Sequence, residues 1–292
     1  MINIFEFTLF WVAALAMFAV VAFYYMLGKL FGRRDMVASA VNELRQVLIS
    51  VFLGILLISL ASISEEASKI AMRDVIKADY DYSKPGYFHF NYAKDYLNTL
   101  IYSIGLPAIV DLWMFGYTLR ATSQFIEPLA PLKYAANAIG TIIGMLFSFF
   151  VSSLHIQLLS LSFAEAFAFT VILPIGIVLR TIPITREGGC FLIAVAFASF
   201  LVWPFCYVIN YEISKSLWPG LKWEGGRLEL PDISDVAFPS LKEMYNLIFS
   251  KLDPKTSNVI FIVPQSTFLA VINFTLTIGF ISVFTNFLRS IG

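Results

Sequence analysis

Long apolar runs separated by short polar segments dominate the chain. A helix needs about 20 residues to cross the roughly 30 Å hydrocarbon core of a bilayer. Apolar windows near this length predict seven membrane-spanning helices. The pattern therefore indicates an all-α polytopic membrane protein, with residues 1–292 in a single transmembrane bundle. The seven predicted spans are Phe5–Leu27, Val47–Ile63, Leu97–Leu119, Tyr134–Leu154, Phe163–Leu179, Cys190–Ile209 and Val259–Leu288.

Two stretches are too polar to cross a bilayer, residues 64–96 and 210–258. The first begins with Ser64–Ala71, which we expect to continue the second helix beyond the membrane, and then reaches a Lys84-Pro85-Gly86 turn signature. The second carries a capping box from Ser240 to Glu243. We expect a small extracellular cap of loops and one or two helices. Its aromatic residues favour a belt at the membrane surface: Tyr80, Tyr82, Tyr87, Phe88, Tyr92, Trp218 and Trp223.

Composition supports a lipid environment. The 292 residues are 59% hydrophobic and 14% charged, with a mean hydropathy of +0.78, whereas soluble proteins carry about 25% charged and 45–50% apolar residues. The 20 basic residues equal the 20 acidic ones. This balance argues against a basic protein that coats nucleic acid.

The distribution of charge predicts orientation, because basic residues in short loops stay on the cytoplasmic side. The first span lacks a basic leader and a cleavage site, so it reads as a retained anchor. Seven spans then place the N-terminus outside and the C-terminus inside a plasma membrane. The cytoplasmic side collects nine basic residues, Lys29, Arg33, Arg34, Arg45, Arg120, Lys133, Arg180, Arg186 and Arg289, against Asp35, Glu43, Glu127 and Glu187.

Two acids fall inside predicted spans. Asp111 is expected to face the bundle or a wet cavity, because an acid exposed to lipid is costly. Two readings remain open: a proton or ion site or gate, or a protonated acid bonded to Asn137, Thr141 or a carbonyl freed by Pro107. Glu165 lies in the first turn of the fifth span, where the helix dipole favours an acidic cap.

Small residues and prolines mark other features of the spans. The Gly140-x-x-x-Gly144 pattern would let helices approach closely. Prolines inside spans release backbone groups that must find other partners, which raises the odds of a conduit but also fits ordinary kinked packing. The four prolines are Pro107, Pro174, Pro204 and Pro264.

No enzymatic motif is present. The chain lacks a Walker loop, a dinucleotide fingerprint, an H-E-x-x-H helix and paired C-x-x-C spacing. His89 and His155 favour surface or interfacial positions over catalysis. Cys190 and Cys206 would lie about 24 Å apart along one helix, too far for a disulfide. We therefore expect a protein that is not an enzyme and uses no cofactor or metal.

The most distinctive segment joins the fifth and sixth spans. It reads Leu179-Arg180-x-x-Pro183-x-Thr185-Arg186-x-x-Gly189, with Gly188 before the last glycine. Proline fixes the turn, the arginines mark the membrane surface, and Gly188-Gly189 lets the chain re-enter in close packing. We expect this cytoplasmic hairpin to dock a partner.

This segment, with Phe191–Ala194 and Trp203-Pro204, resembles the archaeal polytopic membrane subunits of type IV secretion-related DNA-transfer systems, in particular the CedA family. The resemblance implies a membrane channel subunit of a DNA-import machine. It also implies a separate cytoplasmic ATPase of the conjugation type, and small membrane or pilus subunits. A single bundle has no room for a DNA strand, so an oligomer or several subunits would be needed.

Three functions remain open from the sequence. The first is a non-catalytic DNA-transfer channel subunit. The second is a proton-coupled small-molecule transporter, motivated by Asp111 and the proline-interrupted spans. The third is a membrane scaffold without its own conduit, motivated by the close-packing residues.

Overall fold

The computed structural model describes residues 8–70, 73, 86–125, 130–217, 221–224, 227–229 and 258–291. Nearly all of them are helical. The helices are α1 Thr8–Leu30, α2 Arg34–Ile70, α3 Phe88–Asn98, α4 Leu106–Phe125, α5 Ala130–Phe167, α6 Leu173–Thr181, α7 Arg186–Phe197, α8 Trp203–Leu217, α9 Asn258–Ser266 and α10 Phe268–Ile291. One antiparallel hairpin pairs β1 Lys222–Glu224 with β2 Arg227–Glu229.

The described residues confirm an all-α membrane protein in its coarse features. Five helical segments are long and apolar enough to cross a bilayer: Phe10–Leu30, Arg34–Ile70, Ser148–Thr181, Arg186–Leu217 and Phe261–Ile291. The predicted extension of the second helix is also confirmed, because α2 runs through Ser64 to Ile70. The Lys84-Pro85 dipeptide and the Ser240–Glu243 capping box lie outside the described residues, while Gly86 has a positive φ of 99°.

The predicted turn between the fourth and fifth spans is wrong. Residues 155–162 are helical, and helical structure continues from Ala130 through α5 and α6 to Thr181. No glycine or proline occurs from residue 145 to residue 173, so nothing in this stretch ends a helix. The lower hydropathy of residues 155–162 therefore does not mark a reversal of the chain.

The prolines inside the predicted spans do not break their helices. Instead, the helical turn before the proline is wider than an α-helical turn in three of the four cases. A π-helical segment precedes three of the four prolines, at Thr99–Gly105, Ala168–Ile172 and Ala198–Val202. In each case the residue before proline donates its N–H to the carbonyl five residues earlier. Proline lacks an N–H and its ring clashes with the carbonyl four residues back, so a wider turn relieves the clash and keeps the helix continuous.

The chain forms two compact units. The first comprises residues 1–71, 161–205 and 274–292, and the second residues 72–160 and 206–273. In the first unit, α1 and α2 form a hairpin whose turn contains Gly32 at a φ of +64°. The core at this hairpin is Met17, Val21 and Val47, with Val178 of α6 packed against it.

Gly54 brings α1, α2 and α6 together in the first unit. A Cβ at this position would lie 2.4 Å from the Phe10 ring and 2.8 Å from Ile177. Further along, the rings of Phe169 and Phe200 stack at 4.1 Å between their centres. The first unit is thus held by apolar packing, with little room at its closest helix contacts.

The second unit has an aromatic core joined by hydrogen bonds. The Tyr96 hydroxyl donates to Gln265 Oε1 at 2.7 Å, and Gln265 Nε2 donates to Ser214 Oγ. Trp223 Nε1 donates to the Tyr92 hydroxyl at 3.2 Å. Burial raises the pKa of Tyr92 and the pKa of Tyr96 well above the ordinary value of a tyrosine, so both hydroxyls stay neutral and able to donate.

The expected aromatic belt is wrong for three of its members. Phe88, Tyr92 and Trp223 are buried in the second unit, while Tyr80, Tyr82 and Trp218 lie outside the described residues. His89, expected at a surface, is also buried. Tyr92 and Trp223 both pack against Tyr211 of α8, a partner distant in sequence that no local pattern reports.

We predict that Tyr96→Phe destabilises the protein by about 1–3 kcal/mol, because it leaves the buried Gln265 amide oxygen without its donor. Tyr117→Phe is the control, since Tyr117 is 62% exposed and should change stability by less than about 0.5 kcal/mol. Unfolding of the purified variants in mixed micelles measures both. Equal effects of the two substitutions would contradict a structural role for this network.

Candidate functional site

The segment Arg180–Gly189, called the hairpin here, forms a tight reversal between α6 and α7. Pro183 disfavours helical backbone at the residue before it, and Ile182 is extended, with φ −88° and ψ 123°. Helix α6 therefore ends at Thr181. The Thr185 N–H donates to the Ile182 carbonyl at 3.1 Å, which closes a four-residue turn with proline at its second position.

Two side chains of the hairpin satisfy carbonyls that the end of α6 leaves free. Thr185 Oγ1 donates to the Leu179 carbonyl at 2.8 Å. Arg186 Nε donates to the Arg180 carbonyl at 3.3 Å. The last turn of a helix lacks internal donors, so Thr185 and Arg186 cap α6 from the start of α7.

Gly189 sets the distance between the two helices. A Cβ there would lie 2.2 Å from the Arg180 nitrogen and 2.7 Å from the Gly176 carbonyl oxygen. Backbone atoms cannot move aside as a flexible side chain can. The prediction of close packing is thus confirmed at Gly189 and wrong at Gly188, where a Cβ would meet no described atom within 4 Å.

Arg180 is buried rather than placed at the membrane surface. Its side chain is among the largest fully buried ones, with 1% of the residue exposed. Nη2 donates to the Leu288 carbonyl of α10 at 3.3 Å, whereas Nε and Nη1 have no hydrogen-bond partner among the described residues. The arginine thus ties the hairpin to the end of α10.

Charged groups from three helices meet around the hairpin. Arg186 Nη2 lies 3.5 Å from Glu43 Oε2 of α2, and Arg289 Nη2 lies 3.3 Å from Glu187 Oε2. Both pairs are partly exposed, so each stabilises by at most about 1 kcal/mol. The two pairs bring α2, the hairpin and the C-terminal turn of α10 together at one end of the first unit. We call this end the basic end.

Ile184 occupies the tip of the hairpin and is 94% exposed. It lies between Pro183, which sets the turn, and Thr185, which caps α6. No other large apolar side chain among the described residues is as exposed. The sequence pattern does not single out Ile184. The one signal that could have identified it is its position between two turn-forming residues.

The other predicted site residues are dispersed. Asp111 lies in α4, and its side chain is outside the described residues. Glu165 is half-buried within the continuous helical run, so the prediction that it caps a helix start is wrong. Gly144 is buried, and a Cβ there would lie 3.5 Å from the Trp113 indole, while a Cβ at Gly140 would meet no described atom within 4 Å.

An open hollow lies between α4 and α5 in the second unit. It has a volume of about 340 Å³, and its polar lining comes from Arg120, Asn137 and Thr141. Asn137 and Thr141 are the residues expected near Asp111. The hollow is the described feature closest to a small-molecule site in this unit.

Within the described residues, no group of three or more His, Cys, Asp or Glu side chains could hold a metal ion. Cys190 and Cys206 are both buried and unbridged, as predicted. Comparisons of the chain with protein-family models, with curated proteins and with solved structures found no match.

We predict opposite effects of alanine at two adjacent glycines. Gly189→Ala should destabilise the protein by about 1–3 kcal/mol, because its Cβ overpacks the α6 backbone. Gly188→Ala should be neutral or stabilise by up to about 1 kcal/mol, because alanine favours a helix where space is open. Unfolding in mixed micelles measures both. If Gly189→Ala proves as stable as Gly188→Ala, the two helices do not approach as closely as described.

Proposed function

We propose that this protein is a non-catalytic plasma-membrane subunit of a DNA-transfer machine, and that its hairpin docks a separate cytoplasmic ATPase. The exposed Ile184 carries the proposal. Pro183, Thr185, Arg186 and Gly189 all have structural roles in the turn, so local folding accounts for them. Ile184 takes none of these roles, and it is far more exposed than Ile182, at 94% against 40%.

The charge of the basic end supports docking on the cytoplasmic side. Lys29, Arg33 and Arg34 at the α1–α2 turn belong to the same unit as the hairpin and Arg289. Basic residues near membrane-spanning helices remain cytoplasmic. An apolar tip surrounded by positive charge suits a partner surface that combines an apolar pocket with acidic groups.

We further propose five membrane crossings in place of seven, with the N-terminus outside and the C-terminus inside. The helical run from Ala130 to Thr181 supports this, because one continuous helix cannot supply two antiparallel crossings. Removing two crossings preserves the orientation of both ends. Residues 71–147 then lie between the second and third crossings, on the outer side.

Cysteine labelling of intact cells tests this topology, because both native cysteines are buried. With a membrane-impermeant maleimide, Ile184→Cys and Phe31→Cys should react only after the cells are permeabilised, whereas Glu66→Cys should react in intact cells. Tyr134→Cys distinguishes five crossings from seven: it should label from outside with five and from inside with seven. Labelling of Ile184→Cys in intact cells would reverse the proposed orientation.

Loss of DNA transfer is the direct test of function. Deleting the gene in the native host should abolish acceptance of DNA in mating assays, and the wild-type gene should restore it. With Ile184→Asp, DNA acceptance should stay at least about tenfold below the level that the wild-type gene restores, because a charge replaces the apolar anchor. Ile184→Leu should restore it, since an apolar side chain of similar size remains.

Phe31→Asp provides the matched control, because Phe31 is 66% exposed in the other turn at the basic end. It should restore DNA acceptance at an equal amount of protein in the membrane. Unchanged exchange after gene deletion would remove the DNA-transfer function. Restored exchange with Ile184→Asp would remove only the docking role of the hairpin.

A proton-coupled transporter is the second candidate, favoured by the hollow beside Arg120, Asn137 and Thr141. It requires Asp111 to take part in transport. Under this alternative Asp111→Asn changes solute uptake across pH, and DNA acceptance is unaffected by gene deletion. The mating assay therefore separates the two candidates.

A further inference from the structure

Two adjoining hollows lie on the α1–α2 hairpin of the first unit, at its basic end. One is an apolar groove of about 410 Å³, bounded by Phe18, Ala22 and Met26 on α1 and by Ala40, Val41 and Leu44 on α2. The other is a more polar hollow of about 540 Å³ on α2, which includes Ser39, Asn42 and Arg45. Val41 lines both, so the groove opens directly beside the polar hollow.

Arg45 lies on an exposed side of α2. It shares a helical stripe with Val41, Leu48 and Phe52, all of which are large exposed apolar residues. Arg45 forms no ion pair with any described residue. An unmatched charge at the edge of a hydrocarbon core reaches toward the interface and favours a negative group there.

Further positive charge lies toward the α1–α2 turn. The Lys29 ammonium lies 6.0 Å from the centre of the Tyr25 ring, and Tyr25 also lines the groove. Arg33 and Arg34 follow in the turn and at the start of α2. The apolar groove is thus flanked by the polar hollow with Arg45, Asn42 and Ser39, and the turn beyond it is basic.

From this arrangement we propose that the α1–α2 hairpin binds an anionic phospholipid. One acyl chain occupies the apolar groove, and the phosphate lies against Arg45, with Asn42 and Ser39 as further hydrogen-bond donors. Basic residues near the cytoplasmic end of a membrane helix attract anionic head groups, and the adjoining apolar groove suits an acyl chain. A soluble anion would use the basic hollow but leave the apolar groove unoccupied. The inference is independent of DNA transfer.

The experiment uses the full-length protein in micelles that contain equal phosphatidylglycerol and phosphatidylcholine. Native mass spectrometry counts the lipids that each protein molecule retains. Wild type should retain phosphatidylglycerol in preference to phosphatidylcholine. Arg45→Gln should lower this retention about fivefold, since one basic residue near a membrane contributes about 1 kcal/mol to anionic-lipid binding. Arg45→Lys should keep retention within about twofold, because it keeps the charge.

Two further variants separate the chain site from the head-group site. Ala22→Phe fills the apolar groove and should lower phosphatidylglycerol retention while Arg45 remains in place. Lys69→Gln removes a charge at the far end of α2, about 36 Å along its axis, and should change nothing. Unfolding in phosphatidylcholine micelles checks that each variant is folded.

Inorganic phosphate distinguishes a lipid from a free anion. Excess phosphate should leave phosphatidylglycerol bound, and phosphatidylglycerol but not phosphate should raise the Tm of the wild type. Equal retention of both lipids, unchanged retention in folded Arg45→Gln, or displacement by phosphate would each overturn the proposal.

Discussion

A backbone group released inside an apolar bundle must find another partner, because neither lipid nor apolar side chains can supply one. The described helices meet this requirement in two ways. Before Pro107, Pro174 and Pro204 the helix widens to a π-helical segment, and the N–H of the preceding residue reaches one position further back. At the end of α6, Thr185 and Arg186 supply the donors from the next helix. This need for a partner accounts for both the long uninterrupted helices and the tight hairpin.

The hairpin shows how close packing and capping depend on one another. Gly189 allows the α6 and α7 backbones to approach, and this approach brings Thr185 and Arg186 within reach of the α6 carbonyls. The same approach buries Arg180, whose guanidinium then bonds to α10 instead of facing the surface. Most of the hairpin sequence therefore has a role in folding, whereas Ile184 at the tip is 94% exposed.

Polar groups serve different purposes in the two units. In the second unit tyrosine, glutamine and serine side chains form a buried network that links segments far apart in sequence. A satisfied network of this kind favours one arrangement of its helices. In the first unit, two ion pairs and the Arg180 contact to Leu288 lie around the hairpin at the basic end. Arg45 and Ile184 are exposed at this end and take no part in these ion pairs.

The membrane class, the end of α6 just before Pro183, the extension of α2 beyond Ser64 and the close approach at Gly189 could all be predicted from the sequence. Each of these depends on hydrophobic length or on the backbone geometry of a proline or glycine, which acts locally. The sequence did not predict that residues 155–162 continue a helix, that Arg180 is buried or that Tyr92 and Trp223 belong to a core. Those outcomes depend on which distant segments pack together. An arginine or tyrosine has the same local pattern whether its partner is α10, another aromatic ring or lipid.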